Sequence, residues 1–185
     1  MSSRSVAAGD PTGWFERLYA EAERGEAVVP WDRDTPHSLL AEWTGRTGMD
    51  GAGRSAVVVG CGFGRGAEHL AGLGFRTVAF EISPTAVRAA RARHPDSPVR
   101  YQTADLLDPP TGWQPGFDLV LESMTVQALP VELRERAGRG GRQGGTYVQR
   151  CQESRRPRRP WRRGCGAARA GWPVRPPWYA PGTRR

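Results

Sequence analysis

The sequence predicts an α/β fold in which a mostly parallel sheet carries helices on both faces. Three observations predict it. Short apolar runs, AVVV at residues 56–59 and TVAF at 77–80, lack the polar alternation of a half-solvated sheet and read as fully buried strands. Stretches of helical spacing separate the runs, as a parallel pair requires for its crossover. The first run breaks into a glycine-rich turn, GCGFGRG at residues 60–66, and Glu81 closes the second run about 20 residues further on. At 185 residues the chain is long enough for one domain with a full-sized core.

Residues 1–52 read as a helical lid outside the sheet. Trp14, Phe15, Leu18 and Tyr19 recur at helical spacing, and Gly25 ends the pattern. A second helix is expected from Pro36 through Trp43, with Thr35 as N-cap and Leu39, Leu40 and Trp43 on one face. VVPWD, residues 28–32, reads as an extended apolar linker between the two helices.

Residues 53–136 then alternate strand and helix. Strands are expected at 56–59, 76–81, 99–103 and 117–121. Helices are expected at 66–73, from Ser83 as N-cap and Pro84 as first helical residue to Arg93, and from Val131 onward. Beyond Arg136 there is no Leu, Ile or Phe, and Arg, Gly and Pro dominate. Such a segment buries too little apolar surface to offset its ordering entropy, so residues 137–185 read as a disordered tail and the sheet as incomplete at its C-terminal strands. GGTYV at 144–148 has the local grammar of a vestigial fifth strand.

The formal charge of +8 and the isoelectric point near 10.6 suggest nucleic acid until the charge is located. Residues 137–185 hold 13 arginines against the single acid Glu153, a net +12 that leaves residues 1–136 at −4. The folded part therefore has no basic face to track phosphates. Cys61, Cys151 and Cys165 are an odd set without metal-ligand spacing, as free thiols of a reducing, cytoplasmic protein would be. No run reaches membrane-spanning length, and the first residues lack the apolar core of a secretory signal.

Gly60, Gly62 and Gly64 follow the first strand directly, where bare backbone lets a ligand approach and the next helix presents free N–H groups to it. A plain structural turn is the alternative. Glu81 ends the second strand, where a carboxylate accepts both hydroxyls of a ribose. Asp105 follows the third strand, as an acceptor for an adenine amino group or as a bland loop carboxylate. Residues 62–67 also satisfy GxGxxA, which keeps a nicotinamide dinucleotide and an oxidoreductase as an alternative. The turn starting straight after the strand, and the acids closing three successive strand regions, fit S-adenosylmethionine better.

These residues resemble class I S-adenosylmethionine-dependent methyltransferases, and within that class the thiopurine and thiol/halide methyltransferase group. VVVGCGFGRGAEHLA is similar to that group's glycine motif, including the apolar Val58 where most class I enzymes carry an acid. VAFEIS resembles its acidic motif after the second strand, ADLLD its adenine-side motif, FDLVLESMTVQALPVELRERA its fourth-strand segment, and Pro30-Trp31-Asp32 its PWD element. The resemblance spans residues 14–136. It implies a Rossmann-like three-layer sandwich, S-adenosylmethionine as cofactor, and a small-molecule acceptor such as a thiol or other soft nucleophile. It further implies that Gly60, Gly62 and Gly64 line the methionine and ribose portion, Glu81 the ribose hydroxyls and Asp105 the adenine. Cys61, Ile82, Leu106 and Glu122 complete the binding set, Glu122 and Thr125 face the methyl-transfer site, and Trp31 closes over the cofactor or anchors the linker as a core tryptophan.

Methyl transfer from a sulfonium is an in-line displacement that needs alignment and exclusion of water, with no metal or covalent intermediate. His37, His69 and His94 have no ligand spacing; His69 is expected at the surface and His37 is a candidate base near the lid. The chain departs from the family after residue 136. It has no lysine and no asparagine, the mark of a GC-rich gene, and its last quarter reads as out-of-frame translation of such a gene. The competing reading is a nucleic-acid-binding tail, with Trp161, Trp172, Trp178 and Tyr179 stacking on bases in an RNA-directed methyltransferase or a plain binding module.

Overall fold

The computed structural model describes residues 10–108, 110, 116–140 and 146–149, all within the first of two compact units, Met1–Cys151. Two helices, α1 (Gly13–Glu23) and α2 (Ser38–Thr47), precede the sheet. The chain then runs β1 (Ser55–Val59), α3 (Arg65–Gly72), β2 (Arg76–Glu81), α4 (Pro84–Arg93), β3 (Arg100–Thr103), β4 (Leu119–Glu122), α5 (Thr125–Ala128), α6 (Val131–Gly140) and β5 (Thr146–Gln149). The strands pair in the order β3-β2-β1-β4-β5, and every pair is parallel. This is the parallel α/β architecture that the apolar runs predict; the end of α6 and β5, paired beside β4, are ordered within the segment expected to be a disordered tail, and residues 150–185 lie outside the described residues.

The period of two in each strand divides the core. Ala56, Val58, Ala79, Leu119 and Leu121 join Leu40 of α2, Ala67 and Leu70 of α3, and Val87 and Ala90 of α4. Val57, Val59, Phe80 and Val120 point the other way and meet Leu106, which also packs with Val126, Leu129 and Ala137 of the α5–α6 segment. Ser83 caps α4 as expected, its Oγ accepting from the Ala86 N–H at 3.0 Å with Pro84 in the first turn.

Four local expectations are corrected. α2 begins at Ser38 and is capped by His37, whose Nδ1 accepts from the Leu39 N–H at 3.1 Å, and not by Thr35. Residues 28–32 do not run extended: Pro30 and Trp31 form a turn closed by the Asp32 N–H on the Val29 carbonyl at 3.0 Å, which buries Val29 and leaves Val28 in solvent. His69 is half-buried, with Nε2 at 2.8 Å from Thr44 Oγ1 of α2, and burial lowers its pKa. β4 starts two residues late because Asp118 is occupied in the preceding bend, where its carboxylate accepts from the Ser55 N–H at 2.7 Å and Oγ at 2.9 Å. Among the described residues no helix is long and apolar enough to cross a membrane, and no cluster of three His, Cys, Asp or Glu could hold a metal ion.

Candidate functional site

The strand order reverses direction between β1 and β4, and in an open parallel sheet the crevice beyond the carboxyl ends at such a point is where ligands bind. The glycine turn leaves β1 at this crevice. Gly60, Gly62 and Gly64 all have positive φ, at 60°, 53° and 94°. Two of them are also sterically obligatory: a Cβ on Gly60 would collide with the Thr125 side chain, and one on Gly64 with the Tyr101 hydroxyl. Tyr101 is held there by donating to Glu68 of α3, whose Oε1 also accepts from Ser97 Oγ at 2.7 Å.

Glu81, at the end of β2, is only 5% exposed. Its Oε2 accepts from the Gly62 N–H at 3.2 Å and its Oε1 from the Ile82 N–H at 2.8 Å, leaving further lone pairs on both oxygens. Burial pushes its pKa up, partly offset by backbone donors of Ile82, Gly62 and Ser83. Asp105 lies two residues beyond β3, and its Oδ1 accepts from the Leu107 N–H at 2.8 Å in a local turn. Gly60, Glu81, Ile82, Asp105, Leu106 and Thr125 line one open cleft together with Phe15, Phe80 and Leu129. Cys61 points away from this cleft into the main core cluster; burial, then the nearby Glu81 charge, pushes its thiol pKa well up.

The N-terminal helices cover the turn through α4. Glu16 of α1 accepts from Ser83 Oγ and, at 2.6 Å, from Thr85 Oγ1. Asp32 pairs with Arg93 through contacts of 3.0–3.1 Å, and the Arg93 guanidinium lies 3.7 Å from the centroid of the Phe63 ring in the glycine turn. Trp31 thereby sits over Gly62, with its Nε1 3.8 Å from where a Cβ of that glycine would be and donating to the Tyr19 hydroxyl at 2.8 Å. It is 42% exposed yet makes edge contacts with Trp14, Phe15 and Tyr19, so it is both an anchor of the linker and a cover of the turn.

Glu122 is the last residue of β4 rather than a residue beyond it. It is 1% exposed, its Oε1 accepts from the Val126 N–H at 2.8 Å, and it is absent from the cleft lining. Met124, next in the turn, has φ 69°, the one non-glycine positive φ among the described residues. This bend returns Thr125 to the cleft, where its Oγ1 donates to the Val59 carbonyl at 3.4 Å. His37 is committed to its cap and His69 to Thr44, while His94 Nε2 contacts the Phe63 carbonyl at 3.3 Å. Sequence reasoning read Tyr19 only as an apolar helix position and missed its hydrogen bond with Trp31, and it missed the Arg93–Phe63 contact, which has no local signal.

Residues 56–142 match the family of methyltransferase domains. The chain is 26% identical over 129 residues to a 2-heptyl-1-hydroxyquinolin-4(1H)-one methyltransferase of Mycobacteroides abscessus; the match covers 65% of this chain and 56% of that relative, so the chain spans about half of it. A solved structure concerned with conversion of a disulfide bond into a thioacetal group during echinomycin biosynthesis is 28% identical, with a TM-score of 0.59 over 68% of this chain and 52% of that one. An S-adenosylmethionine-dependent methyltransferase of Anabaena variabilis shares the fold at 17% identity, with a TM-score of 0.62 over 73% and 59% of the two chains. The β1/β4 reversal of the parallel sheet and the glycine turn facing a buried Glu81 both lie within the residues that are similar to methyltransferase domains.

Proposed function

We propose that the chain binds S-adenosylmethionine in the β1/β4 cleft and directs its methyl group to a small-molecule acceptor, a thiol or similarly soft nucleophile. The observation that carries the reading is the buried Glu81 carboxylate, bound to the glycine turn and still open to further donors in the cleft it lines. In this reading Glu81 and Ile82 hold the ribose, Asp105 and Leu106 flank the adenine, and Gly60, Gly62 and Gly64 accommodate the methionine end. Trp31 and the N-terminal helices serve as the lid. Thr125 faces the transfer end, with Glu122 bracing the turn that presents it.

Bound S-adenosylmethionine supplies an electrophilic methyl on a cationic sulfur. The protein has to align the acceptor behind that methyl and keep water out. The cleft walls Phe15, Phe80, Leu106 and Leu129 suit that task. The three histidines are engaged elsewhere, which favours an acceptor that needs no histidine base, as an ionised thiol does. The PWD element supports the thiopurine and thiol/halide subgroup, and two relatives whose names concern a hydroxyquinolone and a sulfur bridge support a small acceptor. We also read the segment beyond about residue 137 as out-of-frame, which translating the other two frames of the gene will test.

Titration with S-adenosylhomocysteine and with NAD decides the cofactor; tighter NAD binding removes the reading. Radiolabel transfer from S-adenosylmethionine to a panel of alkyl and aryl thiols, with tRNA and DNA as controls, decides the acceptor. Label in nucleic acid rather than thiols would overturn the substrate class.

A further inference from the structure

We infer that Glu16 is a positioning residue that holds the first turn of α1 as a wall of the cleft and thereby sets how fast the bound nucleoside leaves; this rests on the S-adenosylmethionine reading above. Thr12 and Phe15 line the cleft, and both lie within about one helical turn of Glu16. Asp10 fixes that turn from its N-terminal side, its Oδ1 accepting from the Gly13 N–H at 2.7 Å and the Thr12 N–H at 3.1 Å. The turn is a rigid piece, and what Glu16 binds decides where it stands.

Glu16 binds the segment that follows Glu81 and Ile82. Its Oε1 accepts from Thr85 Oγ1 at 2.6 Å, and its Oε2 from Ser83 Oγ and from the Thr85 N–H at 3.3 Å. Ser83 and Thr85 are buried, so these bonds form where little water competes. Each hydroxyl has one proton and gives it to Glu16, while its oxygen accepts elsewhere: that of Ser83 from the Ala86 N–H at 3.0 Å, that of Thr85 from Arg88 at 3.0 Å. Burial works against the Glu16 charge, but the Ser83 and Thr85 donors and Arg88 outweigh it and hold the carboxyl below its ordinary pKa. One side chain of α1 thus grips the chain two and four residues beyond the carboxylate that takes the ribose in the reading above. The Glu23–Arg88 pair also ties α1 to α4, but at 3.6 Å, between exposed side chains and about two turns further along the helix. A wall held to the rest of a cleft by a buried, charge-assisted contact has to yield before a covered ligand leaves, so loss of that contact acts on release more than on encounter.

The test is stopped-flow tryptophan fluorescence of the full chain with S-adenosylhomocysteine, which separates association from release. Glu16→Ala should release the nucleoside about tenfold faster, with association within about twofold of wild type. Thr85→Val keeps the branched shape and the Ser83 cap but removes one donor to Glu16; it should speed release about threefold and serves if Glu16→Ala does not fold. Glu23→Ala, which loosens α1 from α4 away from the cleft, should leave release within about twofold. Release at the wild-type rate from either folded variant would overturn the assignment and leave Glu16 a fold-stabilising residue, as would an equal acceleration by Glu23→Ala. Wild-type chain that does not bind S-adenosylhomocysteine would instead remove the cofactor reading, and the Glu16 role with it.

Discussion

Glu81 is placed under opposed demands: the site needs its charge, and its burial resists that charge. A carboxyl whose folded pKa lies above its unfolded value near 4.5 binds its proton more tightly in the native state. Ionising it therefore costs stability, a cost absent below the unfolded pKa and complete above the folded one. Glu81→Gln should leave the ligand-free protein as stable at pH 7 or more so in thermal melts. The same variant should lose S-adenosylhomocysteine affinity, since each charge-assisted hydrogen bond contributes about 1.5–3 kcal/mol. Ribose donors favour the ionised form, so binding should weaken as pH falls through the folded pKa; titrations across pH will read this. Gly60 tests the backbone side of the same site. Gly60→Ala meets both a φ of 60° and the Thr125 side chain, and should cost about 1–3 kcal/mol by denaturant unfolding.

At the scale of elements, α4 is the post to which the N-terminal segment is tied. Its N-cap Ser83 donates to Glu16 while accepting from Ala86, Arg88 reaches Glu23 at 3.6 Å, and Arg93 at its other end holds Asp32 and Phe63. Ser83→Ala should cost about 1–2 kcal/mol through the lost cap alone. A double-mutant cycle of Asp32→Asn with Arg93→Ala should show a coupling of about 0.5–1 kcal/mol, because the pair is partly solvated. Burial alone would raise the Glu16 pKa, but the Ser83 and Thr85 donors and Arg88 outweigh it and hold it below the ordinary value. That anchor contributes fully above the unfolded pKa near 4.5 and is lost as pH falls through the lower folded value. Acidification should therefore free α1 and change the indole fluorescence of Trp14 and Trp31, with a transition missing from Glu16→Gln.

For the molecule as a whole, the all-parallel order leaves β3 and β5 as the edges and sets β1 and β4, the most buried strands, around the cleft. The acidic and basic parts of the chain should behave independently. Full-length chain should be retained on nucleic acid with a steep salt dependence, through the ten arginines of residues 151–185. Deleting residues 151–185 should abolish that retention and leave S-adenosylhomocysteine affinity unchanged, as measured by filter binding and calorimetry; a parallel loss of cofactor binding would tie the two parts together.

The fold class, the strand sequence from β1 to β4, the Ser83 cap and the glycine turn with Glu81 were all legible in the chain. Each is a local property: buried apolar runs, turn chemistry and spacing along the backbone are written in neighbouring residues. The kink at Pro30, the His37 cap, the Thr44–His69 contact and the late start of β4 were not, because each depends on which of several local options a distant partner stabilises. The same is true within the site. Glycine and acid spacing marked Gly60, Gly62, Gly64 and Glu81, whereas the roles of Tyr19, Arg93 and Glu122 follow from contacts across 12, 30 and 4 residues of chain. The sequence alone determined the glycine turn and the carboxylate that faces it, since both are local chemistry. Tertiary structure decided which side chains surround that turn, because the burial of Tyr19 and its bond with Trp31 exist only once α1, the Trp31 turn and the glycine turn have been brought together.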